Sequence, residues 1–83
     1  MVKVKNRLGL HIRPATAIVK MLQGARSSVQ FAYKGQEVNA KSIMSLLVLA
    51  AQRNAQISVT VEGEDAEIVM NRIMSGFETK FGE

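Results

Sequence analysis

The only proline of the chain, Pro14, fixes where one helix begins. Proline disrupts a helix interior, but the first turn tolerates it because the N–H that proline lacks has no intrahelical partner there. After Pro14, apolar residues recur with the spacing of one helical face: Ala15, Ile18, Val19 and Leu22. The pattern therefore predicts a helix that begins at His11 or Ile12 and ends near Gly24, a residue suited to the position after a helix.

Four strands are predicted, two of them joined in a hairpin. Residues 2–5 and 57–62 alternate apolar and polar side chains, which is the period of a half-buried strand. Residues 28–39 are expected to form a hairpin, with a tight turn at Lys34 and Gly35 and a shorter return strand through Val38.

A second helix is predicted from Ser42, a candidate N-cap, to Asn54, which tolerates the left-handed conformation that ends helices. Its apolar residues point in nearly every helical direction, so one face cannot bury them all. They are Ile43, Met44, Leu46, Leu47, Val48 and Leu49. A domain of this size has little room for a fully interior helix, so we expect an exposed apolar patch of the kind that marks partner sites.

A third helix is predicted near the end of the chain from an apolar stripe: Ala66, Val69, Met70, Ile73 and Phe77. Acidic residues in its first turn complement the helix dipole. The resulting order, β-α-β-β-α-β-α, predicts an α+β fold in which three helices pack on one face of a four-stranded, mainly antiparallel sheet. The length of 83 residues predicts a single domain, residues 1–83.

Charge is divided unevenly along the chain. Residues 1–53 carry nine Lys or Arg and one acid, Glu37, a net of +8; residues 54–83 carry two and six, a net of −4. A positive face attracts phosphate or acidic partners. Nucleic acid is an alternative partner, but we do not predict it, because aromatic residues make up only 5% and the basic residues are scattered singly.

Several classes of site and location are excluded or disfavoured. The absence of cysteine removes disulfides and thiolate chemistry. One histidine without cysteine predicts no metal site, and no cofactor is expected. No apolar segment resembles a signal peptide or approaches the roughly 18 residues that span a bilayer, so we expect a cytoplasmic protein without membrane insertion.

The only histidine, His11, is followed closely by Arg13 and Pro14. A histidine nitrogen can attack a phosphoryl group, and at a helix N-terminus that group would face unpaired N–H groups and the positive end of the dipole. Arg13 could add charge-assisted hydrogen bonds. Taken singly, the three residues have plainer roles as a capping histidine, a solvated arginine and a helix-opening proline. A serine triad would need an acid beside His11, and none lies near it in sequence.

The stretch GLHIRPA, residues 9–15, together with NAKSIMS, residues 39–45, closely resembles the HPr family, the histidine-containing phosphocarrier proteins of the bacterial sugar phosphotransferase system. The resemblance covers almost the whole chain. It implies an open-faced β-sandwich, a four-stranded antiparallel sheet with three helices on one face. It also implies a carrier of phosphoryl groups, usually a monomer, that is not itself an enzyme.

The resemblance assigns roles to the residues of the first motif. His11 would accept a phosphoryl group on Nδ1 from enzyme I, which is charged by phosphoenolpyruvate, and donate it to the IIA domains of sugar permeases. Arg13 would steady the phosphoryl group, and Pro14 would open the helix. Ile12 and Thr16, beside them, are expected to contact partners.

The second motif implies regulation and docking. Ser42 matches the serine that an HPr kinase/phosphorylase modifies, which would also involve a carbon catabolite regulator. Ile43, Met44 and Leu47 match the exposed apolar residues that dock partners. A phosphate on Ser42 would sit at a favourable helix end, but its charge beside these residues should weaken docking.

Three positions depart from the family pattern. Ile12 stands where alanine is commonest, Ser45 where glycine is usual, and Asn54 where glycine is common. Ile12 could alter partner choice, and the hydroxyl of Ser45 offers a second candidate for modification. The alternative function is that of an HPr-like paralogue in a nitrogen-type or purely regulatory relay.

Overall fold

A computed structural model describes all 83 residues, and its elements follow the predicted order. The strands are β1 (Val2–Lys3), β2 (Ser28–Tyr33), β3 (Gln36–Asn39) and β4 (Gln56–Glu62). The helices are α1 (Ile12–Leu22), α2 (Ile43–Leu49) and α3 (Ala66–Glu78), and a 3₁₀ turn follows at Lys80–Gly82. Strand β1 is two residues shorter than predicted, and the 3₁₀ turn was not predicted.

The four strands form one sheet in the order β1-β4-β2-β3, and every neighbouring pair is antiparallel. In the centre, Phe31 of β2 stands opposite Val59 of β4 and Val38 of β3. The β2–β3 turn has positive φ at Lys34 (51°) and Gly35 (79°), as two-residue hairpin turns require to match the strand twist. The predicted hairpin and fold class are confirmed.

The core lies between one face of the sheet and the helices. Alternate residues of β2 and β4 point into it, and α3 contributes the predicted stripe. The rings of Phe31 and Phe77 meet there with centroids 5.7 Å apart. The largest apolar side chains with no exposed surface are Phe31, Ile18, Leu46, Ile57, Ile73, Val4 and Val29.

Helix α2 is shorter than predicted, and the prediction that Asn54 ends it is wrong. The helix ends at Leu49, and Ala50 adopts the left-handed conformation with φ 54° and ψ 35°. The cause is non-local: the Asn54 N–H donates to the Val4 carbonyl at 2.8 Å, and the Val4 N–H donates to the Ala55 carbonyl at 2.9 Å. Because these bonds hold the segment beside the first strand, the helix cannot continue into it.

The apolar residues of α2 divide between the core and solvent, as expected. Leu46 and Leu49 are buried, whereas Met44 and Val48 are 69% and 59% exposed. We call the outward-facing residues the α2 patch, which comprises Ile43, Met44, Leu47 and Val48; Ile43 and Leu47 are half-buried. None of the helices is long and apolar enough to cross a membrane.

The start of α3 is tied to the loop before β2. The carboxylate of Asp65 accepts hydrogen bonds from the backbone N–H of Arg26 and of Ser27, both at 2.9 Å, and from the Ser27 hydroxyl. These bonds, the Ser27 hydroxyl foremost and the Arg26 N–H next, lower the pKa of Asp65 to about 2. The ionised carboxylate therefore fastens the start of α3 to the loop before β2.

Candidate functional site

His11 occupies the N-cap of α1, as predicted. Its backbone is extended, with φ −83° and ψ −170°, and its carbonyl accepts the first helical hydrogen bond from the Ala15 N–H at 3.0 Å. The N–H groups of Ile12 and Arg13 lie in the first turn and have no intrahelical partner, and Pro14 has no N–H. No acidic residue lies in this turn, so no side chain of the first turn itself offsets the positive end of the helix dipole.

The loop before His11 is fixed by a close backbone approach. Gly9 has φ +73°, and a Cβ at this position would collide with the carbonyl oxygen of Ala51. The same oxygen accepts the Leu10 N–H at 2.9 Å, and the Leu10 side chain is buried. Only glycine combines the positive φ with this close approach to the Ala51 backbone. Gly9 and Leu10 therefore fix the position of His11 at the start of the helix.

The imidazole meets a carboxylate that the sequence pattern did not reveal. His11 Nε2 lies 2.9 Å from Oε2 of Glu83, and the two side chains are 26% and 21% exposed. The amide Nδ2 of Asn6 donates to Oε1 of Glu83 at 2.6 Å, across 77 positions of sequence. This hydrogen bond, with a smaller contribution from the charges of His11 and Arg13, lowers the pKa of Glu83 and outweighs the opposing effect of burial.

His11 lies in a shallow cleft with an excess of positive charge. The lining residues are Arg7, Leu8, His11, Arg13, Lys80, Gly82 and Glu83. Three permanent cations thus surround one carboxylate, which favours an incoming dianionic phosphoryl group. Arg7 and Lys80 were not predicted, because neither belongs to the motif around His11 and only the fold brings Lys80 to it.

The other predicted residues of the first motif take separate positions. Arg13 is exposed and lines the cleft, whereas Pro14 is buried in the first turn of α1. Ile12 is 60% exposed and does not line the cleft, so its bulk faces solvent and leaves the histidine accessible. The hydroxyl of Thr16, a half-buried residue, donates to the Ile12 carbonyl at 2.7 Å, and its predicted contact with partners stays a prediction.

Ser42 caps α2, as predicted. Its hydroxyl oxygen accepts a hydrogen bond from the Ser45 N–H at 3.2 Å. Ser42 is half-buried and lies next to the α2 patch. No acidic residue lies in the first turn of α2. Helix α2 packs against α1, so the serine, the α2 patch and the histidine lie on two neighbouring elements.

The comparison with known proteins agrees with this geometry. The family model described as "PTS HPr component phosphorylation site" matches residues 1–79. The chain belongs to the HPr family. It is 42% identical over 80 residues to the phosphocarrier protein HPr of Chlamydia pneumoniae, and the match covers 96% of this chain and 74% of that protein. The family resemblance is therefore confirmed, and with it a phosphocarrier role in the phosphotransferase system.

Solved structures of the HPr family share the fold. HPr-C-His from Thermoanaerobacter tengcongensis matches with a TM-score of 0.93 and 33% identity, over 99% of this chain and 92% of that chain. An HPr dimer from the same organism matches with a TM-score of 0.82 and 32% identity, over 100% and 95% of the two chains. The expectation that the present protein is a monomer therefore stays a prediction.

Proposed function

We propose that this protein accepts a phosphoryl group from phospho-enzyme I on His11 and donates it to the IIA domains of sugar permeases. The observation that carries the proposal is the position of the His11 imidazole, at the N-cap of a helix with no acidic first turn, in a cleft that three cations line. Membership of the HPr family supports the same assignment.

The transfer follows from the chemistry of the imidazole. The lone pair of His11 Nδ1 attacks the phosphorus, the phosphorus–nitrogen bond to the donor histidine breaks, and its electron pair stays on the donor nitrogen. Arg13 and the free N–H groups of the first turn stabilise the phosphoryl oxygens through charge-assisted hydrogen bonds. Donation to a IIA domain is the same in-line step in reverse, with the partner supplying the new nucleophile.

The shallow cleft explains why the protein would act as a carrier and not as an enzyme. It offers the phosphoryl group one nucleophile and a set of cations, and each partner completes the reaction site around it. Residues 1–83 would act as one domain in the cytoplasm, and the transfer would need no cofactor.

We also propose that the α2 patch docks the partners and that Ser42 is the regulatory site. The exposed Met44 and Val48 provide apolar surface for a partner. A phosphate on Ser42, added by an HPr kinase/phosphorylase, would lie at the N-terminus of α2, where the dipole stabilises negative charge. The same charge beside the patch would weaken enzyme I docking and create a new surface for a carbon catabolite regulator.

The test is phosphorylation with enzyme I and labelled phosphoenolpyruvate, followed by acid treatment. We expect acid-labile, base-stable label on His11. A folded protein that takes no label from active sugar-type enzyme I would contradict the proposal. Labelling by a nitrogen-type enzyme I homologue alone would favour the paralogue in a nitrogen-type relay.

A further inference from the structure

The His11 imidazole is held at one nitrogen by a carboxylate from a distant part of the chain. The Nε2–Oε2 distance to Glu83 is 2.9 Å, and about three quarters of each side chain is shielded from solvent, with 26% and 21% exposed. The second oxygen of Glu83 is used as well, because it accepts the Asn6 amide at 2.6 Å. The carboxylate thus bridges a buried amide and the candidate phosphoacceptor.

Asn6 anchors this bridge from inside the protein. Its side chain has no exposed surface, and its two amide hydrogens go to Glu83 Oε1 and to the Lys80 carbonyl, the latter at 2.8 Å. Its own Oδ1 is buried without a hydrogen-bond partner. Buried polar atoms are nearly always paired. Asn6 is therefore unusual, because both hydrogens of its amide bind residues of the segment 80–83 while its oxygen has no partner.

The backbone that carries Glu83 has an unusual and well-supported conformation. Lys80, Phe81 and Gly82 have φ of 56°, 51° and 85°, and side chains other than glycine seldom adopt such values. The Phe81 ring holds this turn in place by packing edge-on against Phe77, with centroids 4.9 Å apart, and against Gly76, where any Cβ would collide with the ring. Packing therefore places Glu83 in front of His11.

We propose that Glu83, held by Asn6, is a positioning residue that keeps the proton of neutral His11 on Nε2 and leaves the Nδ1 lone pair free to attack phosphorus. This inference rests on the proposed function. A neutral imidazole carries one N–H, and a carboxylate at Nε2 stabilises the tautomer with the proton there. The same contact orients the ring, so that Nδ1 points away from Glu83.

The bridge also serves the charged intermediate. When Nδ1 bonds to phosphorus and the donor nitrogen takes back its electron pair, the ring keeps the Nε2 proton and gains one positive charge. Glu83 then faces an imidazolium and stabilises it. When the phosphoryl group leaves, the electron pair of the broken phosphorus–nitrogen bond returns to Nδ1 and the ring is neutral again. No proton needs to enter or leave Nε2 in either direction.

Glutamine tests this role because it has almost the same shape as glutamate. The carboxylate accepts from Asn6 through one oxygen and lies within hydrogen-bonding distance of His11 Nε2 with the other, whereas an amide offers one oxygen and one NH₂ group. In E83Q the amide oxygen can accept a hydrogen bond from Asn6 or from His11, but not from both. When this oxygen faces the Asn6 amide, the NH₂ group of the glutamine faces His11 Nε2 and cannot accept a proton from it. The matched control is E78Q, which removes the same charge from an exposed ion pair with Lys5 of 2.8 Å.

The experiment uses the full chain labelled with ¹⁵N-histidine. Nitrogen NMR at about pH 8.5, above the ordinary pKa of histidine of about 6.5, reports which ring nitrogen carries the proton. Initial rates of label uptake from phospho-enzyme I are measured on the same samples, and thermal unfolding checks the fold. We expect the Nε2–H tautomer in the unmodified protein and in E78Q. In E83Q we expect a shift toward the Nδ1–H tautomer. We also expect an uptake rate about three- to tenfold lower, which is the effect of losing one charge-assisted hydrogen bond at a partly exposed site.

The outcomes separate this inference from the proposed function. An unchanged tautomer in E83Q overturns it, and a lower uptake rate without a tautomer shift would assign Glu83 to docking instead. A tautomer shift with unchanged uptake also overturns it. If the unmodified protein takes no label from any enzyme I, the proposed function fails, whereas the NMR measurement on the isolated protein still decides whether Glu83 sets the tautomer.

Discussion

The Ser42 hydroxyl accepts a hydrogen bond of 3.2 Å from the Ser45 N–H and so closes the first turn of α2 beside the exposed Met44. One side chain thus serves both as a helix cap and as the proposed regulatory site. The two roles can be separated, because aspartate caps a helix about as well as serine, whereas alanine does not cap.

Ser42→Ala should lower the free energy of unfolding by about 1 kcal/mol, the usual value of a lost N-cap, and leave phosphoryl uptake nearly unchanged. Ser42→Asp should keep the stability and slow uptake from phospho-enzyme I without abolishing it, because its charge lies beside the α2 patch. Thermal unfolding and initial uptake rates measure the two effects. Unchanged uptake kinetics in Ser42→Asp would argue against the switch.

His11→Ala should abolish acid-labile labelling while the protein remains folded, since His11 is the only histidine. Arg13→Ala should leave the label on His11 but slow its uptake about ten- to a hundredfold, because a charge-assisted contact to the phosphoryl group is lost. The control is Arg53→Ala, since Arg53 is exposed and outside the cleft. Acid-labile label in His11→Ala, or an equal effect in the Arg53 variant, contradicts the assignment.

The sequence predicted the elements better than it predicted their ends. Local periodicity was sufficient for α1 and α3, because each buries one regular stripe. The stop at Ala50 was missed because hydrogen bonds between Val4 and residues 54 and 55 set it, and a local pattern contains no information on such pairing. The rule that asparagine accepts positive φ held at Asn54, with φ 72°, but in a loop and not at a helix end.

The candidate site shows the same division between local and distant information. His11, Arg13 and Pro14 lie within one helical turn, so their sequence spacing already defines their relative placement. Glu83 reaches His11 only through the segment that Asn6 and Phe81 hold in place. Neither residue carries a sequence signal of that role, because asparagine and phenylalanine occur in many surroundings.

Gly9→Ala should destabilise the protein more than Gly24→Ala. Both glycines have positive φ, +73° and +81°, but a Cβ at Gly24 would meet nothing within 4 Å, whereas at Gly9 it would collide with backbone. Gly24→Ala therefore measures the cost of the left-handed conformation alone, about 1 kcal/mol. Gly9→Ala should cost at least about twice as much and also slow uptake, because Leu10 and His11 must shift.

Chemical denaturation of both alanine variants gives the comparison, with uptake measured under conditions where each is folded. Equal losses of stability at the two positions would show that the approach to Ala51 does not constrain the loop. Normal uptake by a clearly destabilised Gly9→Ala protein would show that His11 is positioned independently of that loop.

Met44→Gln should raise the Michaelis constant for uptake from phospho-enzyme I about threefold or more, with little change in the maximal rate. The side chain is 69% exposed, so its loss removes docking surface and not core packing. Met74→Gln is the matched control, because Met74 is 50% exposed on α3, outside the α2 patch. Equal effects of the two substitutions would mean that the α2 patch is not the docking surface.

The contribution of Asp65 to the stability of the protein should be complete above about pH 4 and should disappear as the pH falls toward 2. Folding lowers the pKa of this carboxyl from 3.8 to about 2, so the folded state favours the ionised form. The stabilisation is complete above the unfolded pKa and is lost as the pH falls toward the folded value. Denaturant midpoints at pH 6 and pH 2.5 should therefore show a clear loss of stability for Asp65→Asn at pH 6 and a much smaller one at pH 2.5. Glu64→Gln, from an exposed pair with Arg26, should change little at either pH. A loss in Asp65→Asn that is the same at both pH values would mean that ionisation of Asp65 does not hold α3 to the loop before β2.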